Sequence, residues 1–180
     1  MAVSAEIKKM RDRAWDAANE YGNYFDALKL CNELLEIDPN PALVYSYRAT
    51  AYIGLKDYDH AIKDCTTAIE LDPKYAEAYN NRGWAYFELG NYEQTVSDCS
   101  AAIELKKNHH IAYINRGAAH LELGNYAQAI DDNTKAVEFK PRKNLAAVAY
   151  HNRGFAYQAL GDTAKAQADF VKAKQLGYNK

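Results

Sequence analysis

Arg48, Arg82, Arg116 and Arg153 recur at one position of a repeating pattern, and Asp64, Asp98, Asp132 and Asp169 at another. Within each unit the arginine precedes the aspartate by 16 residues, and the one unit that lacks the arginine (Ala14) also lacks the aspartate (Leu30). Joint presence and joint absence point to an ion pair between facing helices, with the geometry a guanidinium and a carboxylate need for two parallel hydrogen bonds. Two uses stand open for such arginines: fixing helix–helix geometry, or reaching the carboxylate of a ligand. Cys31, Cys65 and Cys99 are spaced 34 and 34 apart, with Asn133 and Phe170 next in the same register. One thiol per unit at a constant position describes buried packing residues, since a disulfide or metal site needs side chains that converge. His109-His110, His60 and His120 have no spacing that sets two imidazoles and a carboxylate on one helical face. No H-x-x-x-H, C-x-x-C, phosphate-binding glycine loop or G-x-S-x-G is present, so neither catalysis nor a metal or other cofactor is expected.

The elements that position these residues follow from self-similarity. Asn81-Arg82-Gly83 through Leu89-Gly90-Asn91-Tyr92 returns 34 residues later as Asn115-Arg116-Gly117 through Leu123-Gly124-Asn125-Tyr126, and again 37 residues beyond as Asn152-Arg153-Gly154 through Leu160-Gly161-Asp162. Upstream, Tyr92 maps onto Tyr58 and Tyr24 at the same step of 34. A period of this length is the signature of stacked helical units that bury their apolar faces only against their neighbours. Five units are predicted, at 8–41, 42–75, 76–109, 110–143 and 147–180, forming one domain over residues 1–180, with 144–146 inserted before the fifth.

Each unit reads as two helices, in the third about Ala76–Leu89 and Tyr92–Leu105, because apolar and small residues recur at steps of three and four. Gly-Asn or Gly-Asp pairs mark the turns inside units, suiting a left-handed backbone position; Lys56-Asp57 replaces them in the second unit and is expected to strain or bend that turn. Between units, Asp38-Pro39, Asp72-Pro73 and Lys140-Pro141 end one helical run, whereas Lys106-Lys107 predicts a looser junction. Residues 1–7 read as a lead-in, although Ser4 followed by Ile7 allows an earlier helix start, and the first helix of unit five is expected one turn early, through Leu145. Small residues at constant positions (Ala49, Gly83, Gly117 and Gly154; Ala68, Ala102, Ala136 and Ala173) allow close helix approach, with Tyr52, Tyr86 and Tyr157 filling complementary positions and His120 replacing one of them.

Charge sets further bounds. With 22 Lys and Arg against 24 Asp and Glu the formal net charge is −2, and acidic and basic residues are interspersed. No basic footprint for nucleic acid or an anionic membrane exists, and no apolar run is long enough to span a bilayer. The N-terminal residues carry no apolar signal segment, which favours the cytoplasm.

Tyr79, Gly83, Tyr86, Ala102 and Pro73 match the packing positions of the tetratricopeptide repeat family, and the chain resembles that family over residues 8–180, with unit one (Ala14-Trp15) the most divergent. The resemblance implies an all-α fold, a right-handed α-α superhelix or solenoid whose first helices line a concave groove. It also implies a non-catalytic scaffold that binds a protein or peptide. Projected onto that groove, unit three offers Asn80, Asn81, Trp84, Phe87 and Glu88, unit four Ile114, Asn115, Leu121 and Glu122, and unit five His151, Asn152, Phe155 and Gln158. Asn81, Asn115 and Asn152 form a ladder able either to bond an extended peptide backbone or to tie adjacent helices, and Trp84, Phe87 and Phe155 are candidate apolar anchors. Unit one contributes Asp12, Asp16, Asn19 and Glu20. That acidic end disfavours the family's carboxylate clamp, which needs lysine there. The competing expectation is a structural oligomerisation module, whose apolar terminal end at Ala159, Phe170 and Leu176 stacks on a second copy or on a further domain of a larger multidomain protein.

Overall fold

The computed structural model describes residues 2–19, 22–38 and 40–178; the expectations placed on Glu20 and Pro39 lie outside them. The described residues form ten α-helices and no strand: α1 Ala2–Asn19, α2 Tyr24–Leu35, α3 Pro41–Gly54, α4 Tyr58–Leu71, α5 Ala76–Glu88, α6 Tyr92–Leu105, α7 His110–Glu122, α8 Tyr126–Glu138, α9 Lys143–Ala159 and α10 Thr163–Gln175. They fall into two compact units, one over residues 1–89 holding α1–α5 and one over residues 90–180 holding α6–α10.

Within the first unit each helix packs against the next, and the odd-numbered helices also touch in sequence, α1 on α3 and α3 on α5. The second unit repeats this, with α7 on α8, α8 on α9, α9 on α10, and α7 also on α9. Alanine permits such double neighbours: Ala49, Ala61 and Ala85 share one buried cluster with Cys65, and Ala17, Ala18, Ala27 and Ala51 another. Small side chains here let backbones approach, while Leu34 and Val44, both fully buried, supply the larger volumes at the N-terminal end.

The turns inside units obey one backbone rule. Gly22, Gly90, Gly124 and Gly161 all have positive φ, from 62° to 82°, and Lys56 takes the same left-handed conformation at 62°. Lys56 therefore bears the Cβ penalty that glycine avoids, of about 1–2 kcal/mol, and the turn keeps its shape. The loosened junction expected at Lys106-Lys107 is not found. The Lys106 cap has φ −138° and ψ 92°, against −137° and 92° at Asp72, and each cap donates its N–H to an alanine carbonyl four residues back. Backbone hydrogen bonding sets this junction, so proline is dispensable there.

Two terminal expectations change. Residues 2–7 are part of α1, not a lead-in. The early start of unit five is found, since α9 runs 17 residues from Lys143 and the insertion adds a helical turn rather than a loop.

Candidate functional site

The arginine–aspartate register is built as forks. Arg48 donates from Nε and Nη2 to Asp64 at 2.7 and 2.8 Å, Arg116 to Asp132 at 2.9 and 2.7 Å, and Arg153 to Asp169 at 2.7 and 2.8 Å. Two further contacts complete each guanidinium. Its face lies over a tyrosine three residues earlier: Tyr45 under Arg48, Tyr79 under Arg82, Tyr113 under Arg116 and Tyr150 under Arg153, at 5.2 to 5.7 Å. Its Nη1 donates to a polar side chain of the preceding repeat: Asn32 for Arg48, Thr66 for Arg82, Ser100 for Arg116 and Thr134 for Arg153. The arginines thus join helix to helix and repeat to repeat. With fork and outer donor engaged, Arg48, Arg116 and Arg153 have little left for a ligand carboxylate, and the structural reading holds for them. Asn32, Thr66, Ser100 and Thr134 were missed from sequence; their signal is a third polar series in register with the arginines.

Unit one replaces the pair by apolar contact. Ala14 and Leu30 are both buried in one cluster with Ile7, Cys31, Leu34 and Val44. A different ion pair appears instead, Arg11 with Asp38, joined through both Nε and Nη2. Burial pushes the Asp38 carboxyl up, but hydrogen bonds from Arg11 and the Asn40 N–H outweigh it and hold it below the usual carboxylate range. Because Ala14 turns inward, Trp15 is left 43% exposed with its ring 5.3 Å from that of Tyr47.

The cysteines are interior. All three are buried and none is in a disulfide, and burial pushes the Cys31 thiol up to about 12 and the Cys99 thiol higher still, so neither is a thiolate near neutral pH. His109 is a helix cap whose Nδ1 accepts from the Ala112 N–H. No group of three potential metal ligands is present among the described residues. Nor is any helix among them long and apolar enough to cross a membrane.

His120 occupies the tyrosine slot beside Asp132, with Nε2 4.0 Å from the carboxylate. Burial lowers its pKa, Asp132 opposes and Arg116 reinforces the lowering, leaving the imidazole below its ordinary range. A depressed folded-state value means that the unfolded chain takes up the proton first. Stability is therefore full above about pH 6.5 and declines as pH falls below it toward the folded-state value. His120→Tyr should remove this part of the slope, read as the difference between wild-type and variant urea midpoints from pH 7.5 down to pH 5.

The predicted partner face separates into accessible and inaccessible residues. In the first compact unit Trp84 and Phe87 stack at 5.2 Å and 9°, both half-buried, and exposed Glu88 accepts from the Tyr58 hydroxyl at 3.0 Å. Asn81 donates to Thr50 Oγ1 at 3.2 Å and Ser46 Oγ at 3.4 Å, tying α5 to α3, and Asn80 is buried. In the second, Ile114 and Asn115 are buried, which corrects their placement on an accessible wall. Ile114 packs with Ala136 on α8 and Ala149 on α9 as part of the core, so the neighbouring helices cover it.

Leu121, Glu122, His151, Asn152 and Phe155 do come together, around a hollow of about 410 Å³ that Tyr126, Ala159 and Tyr178 complete. Phe155 is 48% exposed yet braced, edge-on to His151 at 4.7 Å and to Phe170 at 5.3 Å. Tyr178, not foreseen, stacks on His151 at 3.9 Å. Gln158 is exposed and borders a smaller hollow of about 150 Å³. Of the expected apolar end, Ala159 is exposed but Phe170 and Leu176 are half-buried; the exposed apolar side chains there are Leu160 and Val171.

Comparison with known proteins agrees with this architecture. No curated protein sequence matches the chain. Among solved structures, a crystal structure of MamA is 25% identical with a TM-score of 0.73, covering 89% of this chain and 92% of that one. A structure of MamA from residue 41 to its end, from Desulfovibrio magneticus RS-1, is 20% identical with a TM-score of 0.75, covering 94% of each chain, a likeness of fold. Tetratricopeptide repeat models match residues 42–75, 76–109, 110–143 and 147–176. With nearly three quarters of the sequence so matched, and two helices in every matched segment, the chain belongs to the tetratricopeptide repeat family.

Proposed function

We propose that the protein is a non-catalytic scaffold that recruits a protein or peptide through the first helices of its repeats, with Phe155 as the principal anchor. The braced ring beside the 410 Å³ hollow carries this reading. A half-exposed aromatic held by two neighbouring rings loses little rotamer freedom when covered, and aromatic anchors dominate the energetics of interfaces. Asn152 and Glu122 at the hollow's edge supply polar contacts to an incoming backbone. The stacked Trp84–Phe87 pair offers a second apolar contact in the other compact unit.

The test is affinity capture followed by calorimetry on the recovered partner. Phe155→Ala is expected to weaken binding by at least about tenfold, as loss of an anchor does, with the helical circular dichroism unchanged. Binding that survives both Phe155→Ala and Trp84→Ala rejects the reading. Self-association is the second reading, favoured by Leu160 and Val171, 57% and 45% exposed on the last helix pair. A sedimentation coefficient that rises with concentration in wild type, and not in Leu160→Lys, would decide for it.

A further inference from the structure

We infer that the hollow beside Phe155 is a cage for a quaternary ammonium group, and that its occupant is a trimethylated lysine side chain of a polypeptide partner. The hollow, of about 410 Å³, lies wholly within the second compact unit. Three of its walls are the rings of Tyr126, Phe155 and Tyr178, contributed by the start of α8, by α9 and by the segment after α10. The last ring arrives by a backbone turn. Gly177 has φ 95° and the Tyr178 N–H donates to the Ala173 carbonyl at 3.0 Å, which brings the chain back over α9. There the Tyr178 ring lies within 29° of the His151 imidazole, whereas Phe155 stands at 89° to it. Phe155 and Tyr178 therefore stand steeply across one another, as two walls of a corner.

The lining favours a cation, and one that sheds water easily. Among the described lining residues Glu122 is acidic and exposed, and none is lysine or arginine. Ring faces attract cations, more strongly where water is partly excluded. An unmodified lysine ammonium is compact and tightly hydrated, and Leu121, Phe155 and Ala159 offer no acceptor to replace its water. A guanidinium is planar and stacks on one ring. A corner of rings suits a tetrahedral cation whose methyl groups meet several faces at once.

Asn152, half-buried at the same hollow, points to a polypeptide as the source of that cation. Its counterpart Asn81 spends its amide on tying α5 to α3, donating to Ser46 Oγ and Thr50 Oγ1. In the repeat before Asn152 the positions of that serine and threonine are held by Ile114 and Ala118, which carry no hydroxyl. The Asn152 amide is thus left to pair with a backbone N–H and C=O beside the caged side chain, which a free quaternary amine does not have.

That the cation belongs to a polypeptide rests on the scaffold reading, so the probe is one that needs no captured partner. N-acetyl-glycyl-trimethyllysyl-glycinamide is titrated into the full chain at about pH 8, where an ordinary imidazole is neutral, and its N-methyl resonance is followed by NMR. Ring currents in the cage predict a saturable upfield shift, lost in Phe155→Ala. The neutral isostere with carbon in place of the quaternary nitrogen, and the unmethylated lysine peptide, should each bind at least about tenfold more weakly. Choline and the peptide on Asn152→Ala should each bind about fivefold more weakly, as for one lost hydrogen-bonded contact. Glu122→Gln, an exposed substitution that keeps the fold, should cost about threefold. No shift, or equal binding of the isostere or of unmethylated lysine, overturns the cage; choline as tight as the peptide overturns the polypeptide source. A recovered partner that Phe155→Ala releases, with no shift of the trimethyllysine peptide, sinks the cage and leaves the partner face standing. A saturable shift with no partner recovered does the reverse.

Discussion

Arg116→Met is expected to destabilise the chain by about 3–5 kcal/mol, as removal of one partner from a buried ion pair does. The substitution keeps length and apolar stem but removes the bonds to Asp132 at 2.9 and 2.7 Å, the bond to Ser100 at 2.9 Å and the cation over Tyr113. What then decides the magnitude is the carboxylate left behind. The Asp132 side chain is only 7% exposed, so its charge cannot recover full hydration, while the arginine at 21% retains some water. A surface pair would lose only about 0–1 kcal/mol.

The chain supplies its own control for the pair. Unit one holds Ala14 and Leu30 in the same register, both buried and in one cluster. Arg116→Ala/Asp132→Leu should therefore recover most of what Arg116→Met loses, since replacing both partners leaves no buried charge. Urea titrations of wild type, Arg116→Ala, Asp132→Leu and the double give the coupling energy directly. A cost below about 1 kcal/mol for Arg116→Met would place the pair with solvated surface bridges and remove the repeat-to-repeat role from the arginine series.

Periodicity made the helices, their turns and the arginine–aspartate forks legible, because these are properties repeated in register and each repeat checks the others. What lay off the register was not. Trp15 sits where Ala49, Gly117 and Gly154 are buried, yet it is exposed, because α1 turns Ala14 inward instead. The Arg11–Asp38 pair spans 27 residues and recurs nowhere, so no pattern announced it. Ile114 was placed on the partner face by its position in the unit; burial depends on which neighbouring helices cover it, and a one-helix projection does not contain them. Phe155 was identified as an anchor, but its bracing by Phe170 and the contribution of Tyr178 to the hollow depend on long-range packing of α9, α10 and the segment after it.

Gly117→Ala should lower stability although it replaces glycine in a helix interior, where alanine is worth about 1 kcal/mol more. A Cβ on Gly117 would lie 2.5 Å from Asn133 Nδ2 and 3.3 Å from the Asp132 Cβ. The amide cannot simply swing aside, because its Nδ2 donates to the Ala129 carbonyl at 2.8 Å and the residue is fully buried. Overpacking of about 1–3 kcal/mol and a displaced buried amide of about 1–3 kcal/mol together exceed the propensity gain, for a net loss of about 1–5 kcal/mol. The register names the remedy. In unit two the same two positions hold Ala49 and Cys65, packed in one cluster, and the unit that has Phe170 has Gly154 opposite. Small opposes large at this contact, so Asn133→Cys, which also removes an Oδ1 buried without a hydrogen-bond partner, should rescue Gly117→Ala to wild-type stability or above. Denaturant titration of the four proteins reads the rescue as a coupling of opposite sign to the single loss. Stabilisation by Gly117→Ala alone would mean that the slot between α7 and α8 is not filled.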